Sequence, residues 1–197
     1  RWTPWQNGDS NFMVALERPG ASADQGIYAG RIELEGVKGR FPLPDLSAHF
    51  RKAGGWGHVQ VAGMLRQIKW DDLNDDQFDL GGSATGWGFN VSSNLKLAKH
   101  VARLSVVYGE GIQNYMNDSP VDLGPEPTTD PNAPLTAVPL PILAMSAYLD
   151  LKWSEKWTSS VGYSRSDTDN SEGQAPDAFK TGQSASANVL WYPVPKL

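Results

Sequence analysis

The sequence predicts an all-β protein, a transmembrane antiparallel up-and-down β-barrel with about eight strands in this chain. Three observations carry that prediction. Eight segments alternate apolar and polar residues with a period of two, the pattern of strands with two unlike faces. Their connections are short and long in strict turn, as in a barrel with tight turns at one rim and large loops at the other. Trp and Tyr gather toward the segment ends, where the headgroup layers of a bilayer favour amphipathic rings.

The first segment, 10–17, sets Phe12, Val14 and Leu16 on one face. The second, 45–52, opposes Leu46, Ala48 and Phe50 to Ser47, His49 and Arg51. The third, 57–70, alternates Val59, Val61, Gly63 and Leu65 with His58, Gln60, Ala62, Met64 and Arg66. The fourth, 85–97, is the cleanest: Trp87, Phe89, Val91, Leu95 and Leu97 oppose Gly88, Asn90, Ser92, Asn94 and Lys96. In the fifth, 101–110, Ala102, Leu104, Val106 and Tyr108 face away from Arg103 and Ser105. The sixth, 143–153, sets Ala147, Leu149, Leu151 and Trp153 against Ser146, Tyr148, Asp150 and Lys152. The seventh, 156–166, carries Trp157, Val161 and Tyr163 against Thr158, Ser160 and Ser164, and the eighth, 182–192, Ala185, Val189 and Trp191 against Ser184, Ser186 and Asn188. Most approach the roughly 9–11 residues of a tilted spanning strand. The short turns are 53–56, 98–100 and 154–155; the long loops are 18–44, 71–84, 111–142 and 167–181.

Trp56, Trp153, Trp157, Trp191, Phe50 and Tyr192 fall at the turn end, joined by Trp2 and Trp5; Trp70, Trp87, Tyr108 and Tyr163 fall at the loop end. Two aromatic girdles are expected, against the alternative of a soluble sandwich with an aromatic core.

Bulk properties set bounds. The 197 residues suit one domain. A formal net charge of -5, with no basic stretch, argues against a nucleic-acid partner. The chain has no Cys, which removes disulfide scaffolds and thiolate metal sites. No apolar run reaches the roughly 18 residues of a membrane helix. The opening Arg1-Trp2-Thr3-Pro4-Trp5 reads as the tail of a strand, and the chain stops at Val194-Pro195-Lys196-Leu197 without a terminal aromatic. These ends suggest an internal fragment, whose open sheet edges would drive it to aggregate or to join missing strands.

Catalytic motifs are not the strength of this sequence. His49, His58 and His100 have no metal-ligand spacing, and no nucleophile elbow, phosphate loop or zincin signature occurs. No enzyme activity, metal or cofactor is expected. The acidic run from Asp71 to Asp79 offers oxygen ligands for Ca²⁺ but lacks the EF-hand pattern, so a solvated loop is the plainer reading. The loop 111–142 carries Pro120, Pro125, Pro127, Pro131, Pro134, Pro139 and Pro141; it could fold into the mouth as a constriction, reach a neighbouring subunit, or stand exposed.

The polar face is richer. His49, Arg51, His58, Arg66, Lys96, Arg103 and Lys152 share the inward parity, against Asp150 and Glu17. An aqueous channel with excess Arg and Lys favours anions, and Arg can grip a carboxylate with two parallel hydrogen bonds. Arg66 and Arg103 are the preferred solute contacts, with His58, Arg51, Lys96 and Lys152 near the turn end and Asn90 and Asn94 lining the path. The alternative is that these charges solvate the lumen and pair across strands.

Ser10-Asn11-Phe12-Met13-Val14-Ala15-Leu16-Glu17-Arg18-Pro19, Leu43-Pro44-Asp45-Leu46 leading to Trp56-Gly57-His58-Val59, Gly86-Trp87-Gly88-Phe89-Asn90, Tyr108-Gly109-Glu110-Gly111 and Trp191-Tyr192-Pro193-Val194-Pro195 resemble the DcaP-like porins in order and spacing. The resemblance spans nearly the whole chain. It implies a 16-stranded, homotrimeric channel in the outer membrane of Gram-negative bacteria, associated with dicarboxylate uptake, to which this chain contributes the later half. The expected partners are small anionic solutes and the lipid bilayer. A small closed barrel with a structural or adhesin role, and less favourably a barrel enzyme, are the alternatives.

Overall fold

The structure is a computed structural model that describes residues 1–117 and 119–194. Residues 195–197, which include the end of the last resemblance segment, lie outside the described residues. In chain order the strands are β1 (Trp2–Asn7), β2 (Ser10–Glu17), β3 (Val37–Arg40), β4 (Asp45–Gly54), β5 (Gly57–Asp72), β6 (Gly82–Leu97), β7 (His100–Glu110), β8 (Leu123–Pro127), β9 (Leu135–Pro139), β10 (Pro141–Lys152), β11 (Trp157–Thr168) and β12 (Thr181–Trp191). Every pairing is antiparallel. One ten-stranded sheet follows the path β1-β2-β4-β5-β6-β7-β10-β11-β12, with β3 added beside β5. The path is sequential except where the loop strands interrupt it, so this is an up-and-down wall. It is not closed into a barrel: β1 and β12 are its two edges among the described residues.

All eight expected segments are strands, most of them slightly longer than the alternation indicated. The expected tail Arg1 to Trp5 is instead most of a full strand, β1, which turns through Gly8 and Asp9 into β2. The wall therefore has nine strands in its path, and the count of eight was one short. Pro4 and two Trp break the alternation there and hide the hairpin from the sequence pattern. Two of the short turns are tighter than their expected bounds, with Ala98 and Lys99 alone between β6 and β7, whereas 154–155 widens to 153–156 between β10 and β11. Gly54 pairs with Gly57, leaving Gly55 and Trp56 as the turn. Gly57 has φ +117°, and a Cβ there would stand 2.0 Å from the Asn94 carbonyl oxygen, so only glycine fits this close strand contact.

The two faces separate by chemistry. Leu16, Leu46, Phe50, Val61, Leu65, Phe89, Val91, Leu104, Val106 and Val161 are all exposed. A water-facing sheet would not present so continuous an apolar surface, whereas a lipid-facing one must. At the turn end Trp5 stacks on Phe50 at 5.8 Å and Trp157 on Trp191 at 6.0 Å. At the loop end Tyr108 meets Trp87 edge-on at 5.7 Å. Trp70 corrects the expected outer girdle. Its even position puts it on the inner face, where it is 7% exposed and its indole Nε1–H donates to the Leu80 carbonyl at 2.8 Å.

The packed core lies at the loop end and is made largely of loops. Ile68, Trp70 and Leu123 form its centre, with Ala21, Val37, Phe41, Ala84 and Ala137 around them. The long loops thus carry structure of their own. Strand β3 takes up pairing with β5 from Lys69 to Asp72, beyond the end of β4. Strands β8 and β9 form a separate hairpin inside the loop 111–142. The acidic loop after β5 satisfies itself. Asp72 accepts from the Asn74 and Leu80 N–H groups, Asp76 from Phe78 and Asp79 from Gly81, and Asp71 pairs with Arg40 at 2.9 Å. Among the described residues no group of three or more acidic or His side chains is placed to hold a metal ion.

Candidate functional site

The loop 111–142 folds against the polar face. Its first turn places Tyr115 and Met116 against His49, Ala62, Met64 and Asn90 of β4, β5 and β6. It turns inward at Gly111, whose φ of +63° is a left-handed conformation, most readily adopted by glycine. Gln113 Nε2 donates to the Leu140 carbonyl at 2.9 Å, and Gly111 N–H to the same carbonyl at 3.0 Å, so the two ends of the loop are tied.

Arg66 is the anchor of this arrangement. Its side chain is on the inner face, as its parity requires, but it is buried. Nη1 donates to the Gly111 carbonyl at 3.0 Å and to Asp122 Oδ1 at 3.2 Å, and Nη2 donates to the Gly20 carbonyl. Nε lies 3.1 Å from Asp45 Oδ2, and the Tyr115 ring covers the guanidinium with its centroid 5.2 Å away. Asp122 is fully buried and also accepts from Ser22 N–H at 2.9 Å and Asn114 N–H at 3.0 Å. Tyr115 Oη donates to Asp45 Oδ2 at 2.7 Å. Burial first, then the Asp45 carboxylate, push the Tyr115 phenol well above its ordinary range, so it remains a neutral donor. One side chain therefore fastens the loops 18–44 and 111–142 to the wall. Its charge is met by two buried carboxylates, and its burial closes it to a passing solute. Gly86 on the neighbouring strand makes room, since a Cβ there would meet Arg66 Cγ at 2.7 Å.

The remaining candidates assemble at the turn end. Register places His58 beside Asn94 and Asn94 beside Arg103, with Arg51 beside Gln60 in the adjoining row. Arg103 is half exposed, and Nε donates to Asp150 Oδ2 at 2.6 Å, while Ser160 Oγ donates to Asp150 Oδ1 at 2.8 Å. With its amide turned, Asn94 accepts from Arg103 Nη1 at 3.3 Å. Arg51 Nη1 donates to the Asp9 carbonyl at 3.1 Å. Lys152 pairs with Glu155 at 2.6 Å on the rim, and Lys96 is exposed. Asn90 stands apart, nearer the inserted loop, donating to Ser105 Oγ at 2.9 Å. The belt thus sets Arg51, Arg103, Lys96 and Lys152 against Asp150 and Glu155, with His58 among them. The difference is net positive and open to solvent.

Sequence reasoning missed the partners of Arg66. Asp45 was inside a recognised strand and Asp122 inside a loop, and only three-dimensional folding brings them together. The proline-rich composition of the loop was the available signal that it holds a defined path. Also unread was a row formed by register alone: Ser92, Ser105, Ser146, Ser164 and Ser184 are successive partners across β6, β7, β10, β11 and β12.

An up-and-down antiparallel wall, apolar outside, polar inside, girdled by aromatics and entered by a folded loop, defines the architecture of an outer-membrane β-barrel. Among solved structures, the chain matches that of the outer membrane channel DcaP of Acinetobacter baumannii with a TM-score of 0.68 and 17% sequence identity, over 98% of this chain and 51% of that one. The likeness establishes the fold, and the chain spans about half the length of that channel. No family model and no curated protein sequence matches the chain.

Proposed function

We propose that this chain forms part of a porin of the bacterial outer membrane, assembled as a homotrimer, through which small anionic solutes diffuse passively. The observation that carries the reading is the positive belt at the turn end of the inner face, whose charge is carried by Arg51 and Arg103, with His58 and Asn94 as neutral polar neighbours in the row of Arg103. Charges along a water-filled path select ions by sign, and forked guanidinium groups suit carboxylates. Two arginines in adjoining rows offer two points of attachment, which favours a dicarboxylate over a monocarboxylate. Arg51 and Arg103 take the leading role. Arg66 sets the position of the constricting loop. The likeness to a channel supports permeation over catalysis.

The test uses the full-length protein containing this chain, in a planar bilayer under a salt gradient. The Arg51→Ala/Arg103→Ala variant is expected to move the reversal potential toward cation preference and to weaken block by succinate. A reversal potential and succinate block equal to those of the unaltered protein would overturn the assignment. Conductance steps in groups of three would support the trimer.

A further inference from the structure

A large cavity bordered by the inner face adjoins the positive belt, because Tyr148 in its lining is the cross-strand partner of Arg103. It has a volume of about 720 Å³ and lies between the inserted loop and β7, β10, β11 and β12. That volume falls within the roughly 300–1,000 Å³ typical of ligand sites. Ser105, Ser146, Ser164 and Ser184 line it as one cross-strand row, and Tyr115, Tyr148 and Phe179 add three rings. The one cationic residue named in its lining is Arg165, which has the outward parity of Tyr163 and whose Nε and Nη2 donate to the two oxygens of Asp167 at 2.6 and 2.7 Å.

Tyr148 is set as a platform. It is paired across the strands with Gly162, and a Cβ on Gly162 would come within 2.0 to 2.4 Å of Tyr148 Cδ1, Cγ and Cε1. The ring therefore lies over the bare glycine backbone, along the wall, and lines the cavity from that position. An aromatic face carries negative quadrupolar charge and attracts C–H edges. Beside it the serines stand at the spacing of adjacent strands, about 4.8 Å. A hydroxyl both donates and accepts, so this row matches a ligand whose own hydroxyls do both. It gives a carboxylate no charge to pair with.

We propose that this cavity is a binding subsite for neutral polyhydroxylated solutes, of sugar or polyol class. Tyr148 would stack on the apolar C–H face of a sugar ring while Ser146 and Ser164 hydrogen-bond its hydroxyls. The proposal rests on the channel reading and adds a second class of solute, served by a region that meets the charged belt at the Tyr148–Arg103 pair.

The experiment measures ion current through the full-length channel while sucrose, maltose or, for comparison, succinate is added. Open-channel steps before any addition test the channel reading by themselves, and folded protein that opens none overturns both. The expected result is saturable block by at least one of the two sugars. Tyr148→Ala should raise its half-blocking concentration by about threefold to tenfold, and Tyr148→Phe should leave it nearly unchanged. Ser146→Ala/Ser164→Ala, which keeps the wall packing, should also weaken sugar block. Block by succinate should change much less than sugar block in all of these variants. Current that falls only in proportion to solution viscosity, with no saturation, overturns the subsite. So does sugar block that is equal in the unaltered, Tyr148→Ala and double-serine channels, or a Tyr148→Ala change that weakens succinate block as much as sugar block.

Discussion

Arg66 and Arg103 have the same side-chain chemistry, the same parity and the same face of the wall, yet they live in opposite surroundings. Arg66 is near the loop end, with its side chain 1% exposed between two carboxylates that are also buried. Arg103 is near the turn end, with its side chain 54% exposed and one carboxylate partner. The difference comes from the inserted loop, which covers one end of the inner face and leaves the other open. A guanidinium under the loop becomes part of the scaffold. The same group beyond the loop remains available to ions. Position along the strand, and not identity or parity, separates the buried, loop-fastening arginine from the exposed one on this face.

The largest effect expected from breaking this contrast is at Arg66. Arg66→Ala leaves Asp45 and Asp122 buried without their counter-charge, and loss of one partner from such a group costs about 3–5 kcal/mol. The loop 111–142 should lose its docking before the wall unfolds, because the strand pairings do not depend on the guanidinium. Limited proteolysis of the folded full-length protein should then cut within this loop, and single-channel conductance should rise. A loop as resistant to protease as that of the unaltered protein would show that the apolar core around Ile68 and Leu123 holds it alone.

Tyr115 gives a smaller effect on the same clasp. Tyr115→Phe keeps the ring over Arg66 and removes the hydrogen bond to Asp45, at a cost of about 1–2 kcal/mol. The sign with pH is fixed by the raised phenol. Docked, the phenol stays neutral where a freed one would ionise, so its contribution is complete below the ordinary tyrosine value of about 10. Above that value the undocked state ionises first, and docking weakens as pH rises toward the raised value. Loop proteolysis should therefore increase on going from about pH 9 to about pH 11 in the unaltered protein, and less so in Tyr115→Phe. Equal alkaline sensitivity in the two would assign it to another group.

The sequence made the wall legible because alternation survives wherever one face meets lipid and the other water. Leu104 and Arg103, or Val161 and Ser160, declare their sides by residue type alone. It failed where that rule lapses. Trp2, Pro4 and Trp5 obscure the alternation of β1, so the strand was read as a tail. Trp70 was assigned by its ring to a girdle, although its even position put it in the loop-end core. The cationic face was legible as a face, but depth along it was not. That depends on a proline-rich loop whose path is set by contacts more than forty residues apart in sequence, such as Arg66 with Asp122. Register carried information that parity could not: it gathered His58, Asn94 and Arg103 into one row and five serines into another.

The smallest structural effect, and the sharpest test of the open end, is at Asp150. Its carboxylate is the direct partner of Arg103 and is held by Ser160 Oγ. Asp150→Asn keeps the size and much of the hydrogen bonding of the side chain while removing its charge. An exposed pair of this kind is worth no more than about 1 kcal/mol, so thermal unfolding should shift little. The current should respond more than the stability does, because the belt gains one unit of uncompensated positive charge. Anion preference is expected to rise in Asp150→Asn and fall in Arg103→Ala, with both channels folded. If the two substitutions move the reversal potential in the same direction, the pair acts on pore shape, and the open arginine would be as structural as the buried one.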